Sequence, residues 1–133
     1  MTCNDLVDDT PTVAAMTVAE AAPSPMGGTI ADGMYALTAM TAYAGPGGST
    51  GDLGITASVV MTIAGATMQQ AGQINGQEKR YTSTFTTSGT TVMTMDTCPA
   101  PNTDTHSYTA TSTALTVIDT ASGYTLAQTY TLR

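Results

Sequence analysis

The chain has 133 residues, with ten acidic and three basic side chains, a formal net charge of -7 and a pI near 4.1. That length carries one domain with one modest core. So few Lys and Arg exclude a phosphate-neutralising surface for nucleic acid or for an anionic membrane, and the patterned 41% of apolar residues excludes disorder throughout.

Charged residues are 10% of the chain, against ~25% in ordinary soluble domains, and Thr is the commonest residue. Thr is β-branched and stiff at χ1, so it suits a pleated surface while its hydroxyl tolerates water. A Thr-rich, Lys-poor chain can therefore make sheet with a wet outer face and few charges, a style associated with secreted and cell-surface proteins.

Residues 1–29 differ from the rest: "DLVDDTPTV" is acidic, "AAMTVAEAA" is Ala-rich and "PSPMGG" is a breaker cluster. They are read as a leader, with a short helix over Val13–Ala22 capped by Thr10 or Thr12 and ended by the Pro-Gly segment. Its composition favours a tether over a segment docked on the following domain, residues 30–133.

From Gly33 the chain alternates strands and turns. Met34–Tyr43 places Tyr35, Leu37, Ala39, Thr41 and Tyr43 on one face. After the loop "AGPGGSTGD", residues 54–63 place Ile55, Ala57, Val59, Met61 and Ile63 together. Strands follow at 66–74, 78–86, 90–97, 106–111, 114–119 and 124–132. Asn75-Gly76 is a strong hairpin signal, because both residues accept positive φ. The fold class predicted is all-β: an eight-stranded antiparallel up-and-down meander. Closure into a barrel would remove its two exposed edges.

A family comes into view on these residues. A meander that opens with Gly33-Met34-Tyr35, where Gly-x-Trp is usual, and carries Arg133 after its last strand resembles the lipocalin-like (calycin) barrels. "DGMYALTAMTAYAGPGGSTG", "TFTTSGTTVMTMDTCP" and "YTATSTALTVID" look like the small lipocalin-like domains of bacterial surface lipoproteins. The resemblance implies that Tyr35 closes the barrel floor and that Arg133 packs across it. It also implies an extracytoplasmic location: outer-membrane lipoprotein, periplasmic or secreted.

Signals for chemistry are sparse. His106 is the only histidine, at the start of a predicted strand, and no nucleophile-elbow motif accompanies it. Asp96 and Asp119 could pair, yet acidic residues at strand ends are usually turn formers. "GPGGSTG" lacks the Gly-Lys-Ser/Thr ending of a phosphate loop and reads as a hairpin loop over one barrel mouth. Glu78-Lys79-Arg80 reads as a solvated strand end that discourages aggregation. Neither a metal site nor any other cofactor is expected, and no apolar run is long enough to be a transmembrane helix.

Two readings of the cysteines stay open. Cys3 and Cys98 form a disulfide between the leader and the loop after the fifth strand, or Cys3 carries a lipid anchor and Cys98 is unpaired. The functional expectation is a non-enzymatic barrel that holds a small apolar ligand through Tyr35, Leu37, Val59, Met61, Phe85 and Tyr108. The same side chains would otherwise simply fill the interior. The alternative is a structural or adhesive surface module, self-associating into an extracellular filament through its leader. An isomerase or cyclase using His106 has the least support.

Overall fold

The structure is a computed structural model that describes residues 3–121 and 123–133. Among them there is no helix. Nine strands form one sheet: β1 (Val13–Val18), β2 (Gly33–Tyr43), β3 (Gly51–Ala64), β4 (Thr67–Ile74), β5 (Gln77–Ser88), β6 (Thr91–Cys98), β7 (Asn102–Ala110), β8 (Ala114–Ala121) and β9 (Tyr124–Leu132). From β2 to β9 each strand pairs antiparallel with the next, and β9 pairs back on β2 over Tyr35–Tyr43. The sheet is therefore a closed ring. Closure leaves no edge strand to recruit another chain.

The ring contains nine strands rather than eight, and the expected leader helix is a strand. β2 and β3 pair directly only over Gly33–Ala36 and Val60–Ile63. Beyond that they separate, and β1 fills the gap, parallel to β2 (Ala15↔Met40 to Val18↔Tyr43) and antiparallel to β3 (Val13↔Ala57). A helix here would leave the facing backbone groups of both neighbours unpaired, a cost that outweighs the helix propensity of an Ala-rich stretch. Val13, Thr17 and Val18 are β-branched and suit the strand, and Ala15 is fully buried.

The leader is tied down ahead of this wedge. Cys3 and Cys98 are disulfide-bonded, with a sequence separation of 95. Asn4 Nδ2 donates to the carbonyls of Gln70 and Tyr81, each at 3.1 Å. Arg80 Nη1 donates to the Leu6 carbonyl at 2.7 Å, and Ser58 Oγ to Asp8 at 2.5 Å. Leader residues thus lie over the outer face of β3–β5, where Ser58, Val60 and Ala71 are buried although they point away from the ring interior. Arg80, read as part of a solvated strand end, is spent on this leader contact.

Two local devices set the register. Asn75 (φ 51°) and Gly76 (φ 80°) take the left-handed conformation at both turn positions, matching the twist of β4 and β5. Gly72 lies so close to β3 that an added Cβ would stand 1.9 Å from the Ser58 carbonyl oxygen. A third feature corrects the face expected for β2. The register shifts between Leu37 and Ala39, a bulge at which Thr38 Oγ1 meets Thr131 Oγ1 at 2.8 Å. The phase of alternation flips there, so Met40 and Ala42 are buried in place of Ala39, Thr41 and Tyr43.

One end of the ring is closed by the segment before β2. Gly27 bridges β7 at Thr109, giving its N–H to the Tyr108 carbonyl at 2.9 Å. Tyr108 donates its hydroxyl to the Gly28 carbonyl at 2.6 Å, and Tyr35 donates to the Ala31 carbonyl at 2.5 Å. The interior above this segment is packed with Tyr35, Leu37, Met61, Phe85, Val92 and Leu115, among others.

Candidate functional site

The ring interior is not completely filled. A cavity of about 270 Å³ lies inside it, walled by β3–β9 and touched by Ile30 from the closing segment. Its polarity changes along the strands. At the closed end the lining is apolar: Met61, Met68, Val92 and Leu115. Toward the opposite end the inward positions of β6 read Val92, Thr94, Asp96, and those of β8 read Leu115, Val117, Asp119. On β7, running the other way, they read Asn102, Asp104, His106. Asn102 and Asp104 are exposed, so the acidic end is the open mouth.

Each mouth residue is held by a neighbour. Cross-strand partners stand ~5 Å apart and point to the same face, which brings these pairs within hydrogen-bonding reach. Ser83 on β5, opposite Asp96, donates to its carboxylate at 2.6 Å. Asn102 Nδ2 donates to Asp104 at 2.7 Å along β7. His106 Nδ1 stands 2.6 Å from Asp119 Oδ1. A carboxylate only accepts, so this contact is a hydrogen bond in the tautomer that carries its proton on Nδ1. Tyr130, 6% exposed, gives its hydroxyl proton to Gln128 Oε1 at 3.3 Å. Burial, with the Asp119 charge as the smaller cause, pushes the Tyr130 phenol up to about 12.

Among the residues expected to hold a ligand, only Met61 lines the cavity. Tyr35, Leu37, Phe85 and Tyr108 sit with it in the interior core, and Val59 packs against that core in a partly buried position. Tyr35 stands at the floor of the ring. Arg133 lies outside it: its guanidinium donates to Asp9 at 2.8 Å and rests near the Met34 sulfur. Their hydrogen bond and mutual charge hold the Asp9 carboxyl below its ordinary value and the Arg133 guanidinium above its own.

His106, Asp96 and Asp119 had each been noticed in the sequence, and all three face the cavity. Asp104 and Asn102 were missed because β7 begins at Asn102 rather than at 106. The signal was there: Asn102, Asp104 and His106 alternate, so they share a face once the strand extends far enough. Asp96 and Asp119 each bond to another side chain rather than to one another. Among the described residues, no three His, Cys, Asp or Glu side chains are grouped so as to hold a metal ion.

The cysteine question resolves as a disulfide, so in this state the Cys3 sulfur is engaged and is not the attachment point of a lipid. Bonded cysteines persist in oxidising compartments, which points to an extracytoplasmic location. Among the described residues no helix is long and apolar enough to cross a membrane.

Fold and site together define a closed all-β ring around an acidic-mouthed cavity. No family model, no curated protein and no solved structure matches this chain.

Proposed function

We propose that this protein is a non-enzymatic, extracytoplasmic binding protein of lipocalin-like barrel architecture. It holds one small molecule with an apolar body inside the ring, and acts at the outer membrane, in the periplasm or as a secreted protein. One observation carries the reading: an interior cavity of about 270 Å³ whose closed end is apolar. That volume is near the lower edge of the ~300–1,000 Å³ range of small-molecule pockets, so the ligand is small. A side-chain-filled interior would have left no such space. His106 and Asp119 resemble part of a catalytic triad. Among the described residues, only Asp119 hydrogen-bonds to the His106 imidazole.

The alternative, a filament subunit assembling through its leader, has less support. β1 is paired on both sides within its own chain, so its backbone has nothing left to offer a neighbour's sheet.

Calorimetric titration of the oxidised full chain with 1-hexanol tests the proposal. Saturable binding that disappears in Val117→Trp, with its circular dichroism unchanged, is the expected result. Absence of binding, or binding indifferent to the filled cavity, overturns it.

A further inference from the structure

The charge of the mouth identifies the ligand class. We infer that the ligand is a small organic cation, a monoamine whose ammonium group sits at the mouth while its apolar body lies on Met61, Met68, Val92 and Leu115. This rests on the cavity being a binding site.

Three observations carry it. First, the cavity wall includes Asp96, Asp104 and Asp119, while none of the chain's three basic residues lines it. Arg80 is committed to Glu78 and the leader, and Arg133 to Asp9. Confined between low-dielectric walls, such carboxylates focus a field that concentrates cations at the mouth. Second, each carboxylate is already oriented by a neighbour: Ser83, Asn102 or His106. A carboxylate has about four lone-pair sites, so one such bond leaves acceptor capacity toward the cavity. Third, the Tyr130 hydroxyl is 6% exposed, lines the same cavity and accepts no hydrogen bond among the described residues. The phenol is already satisfied by donating to Gln128, and its oxygen can in addition accept from a ligand donor at this end of the cavity. An ammonium supplies three donors and a positive charge, which a neutral or anionic ligand of the same size does not.

The apolar floor excludes a fully polar cation. Its side chains would have to face water or a charged group, whereas an alkyl or aryl body covers them. The small volume excludes a polyamine folded inside.

The experiment compares three probes of one shape, hexylamine, 1-hexanol and hexanoate, by calorimetry on the oxidised full chain at neutral pH and low salt. Hexylamine is expected to bind at least tenfold tighter than hexanol, and hexanoate weakest. The amine's advantage should shrink with added salt and in Asp104→Asn. It should persist in Asp5→Asn, a change on the exposed leader that controls for attraction to the net negative charge. Asp104 is exposed, so its neutral isostere leaves the fold intact; the salt series on the unaltered protein reads the same charge effect independently. Equal affinity for amine and alcohol, tighter binding of hexanoate, or an amine advantage lost equally in Asp5→Asn overturns the amine assignment and leaves the cavity reading standing. Failure of 1-hexanol to bind, with or without binding of hexylamine, overturns both.

Discussion

Tyr35 on β2 and Tyr108 on β7 give their hydroxyl protons to one short segment, Tyr35 to the Ala31 carbonyl at 2.5 Å and Tyr108 to the Gly28 carbonyl at 2.6 Å. These strands are not neighbours in the ring. The two rings are fully or nearly fully buried, at 0% and 2% exposure. Their bodies fill the interior and their polar tips pin the segment that closes it. Neither ring lines the cavity, and both hold its closed end.

Removing either hydroxyl leaves a carbonyl without its partner at the closed end. Tyr35→Phe and Tyr108→Phe are each expected to destabilise the protein by about 1–2 kcal/mol, with hexanol binding retained. Urea unfolding monitored by circular dichroism measures the loss. Full stability in both variants would mean that these hydroxyls do not hold the segment.

The disulfide spans 95 residues of sequence, so its reduction releases a large constraint on the unfolded chain. In the chain-entropy model the contribution is about 4–5 kcal/mol, an upper figure. Reduced protein should therefore unfold at distinctly lower denaturant, and the intact mass should rise by two hydrogens on reduction. A mass insensitive to reductant would contradict the bond.

Deleting residues 1–29, the boundary that composition suggests, should not leave a soluble domain. It removes β1 and exposes the unpaired backbone of β2 and β3 along the gap, creating edges of the kind that aggregate. The shorter chain is expected to elute as aggregate in size exclusion, whereas a monodisperse, fully β-structured product would show that the leader is dispensable.

Tyr130 gives the fold an alkaline limit. Its phenol is raised from 10.0 to about 12 by burial first and Asp119 second. A raised value means that the folded state holds the proton more tightly than the unfolded state does. The associated stability is complete below pH ~10 and is lost as pH climbs toward 12. Two units correspond to about 3 kcal/mol. Tyr130→Phe should flatten the fall in stability between pH 10 and 12 relative to the unaltered protein. Parallel profiles in pH-dependent denaturation would show that the phenol is not held neutral by the fold.

The eight strands from β2 onward were legible because period-two alternation and turn chemistry are local. Ile55, Ala57, Val59, Met61 and Ile63 do share a face, and Asn75-Gly76 does turn. On β6 the choice between Val92 and the methionines was open in the sequence. Burial of Val92 at 3% exposure and exposure of Met95 at 37% decide it. Ala15 gave no warning that it would be buried in a strand, since a short Ala-rich run favours a helix until tertiary context overrides that propensity.

Alternation states that two faces exist, and the sequence by itself determined that much, together with the turns, the low positive charge and a pair of cysteines able to bond. It does not state which polar face is outside. A ring has an inner surface, and near its mouth that surface is wet, so Asp96, Asp104 and Asp119 could pass for solvent-facing strand ends. Only tertiary closure turned them inward onto one cavity. Only the gap between β2 and β3 made the leader a strand, because unpaired backbone there needed a partner more than the leader's Ala-rich stretch needed a helix.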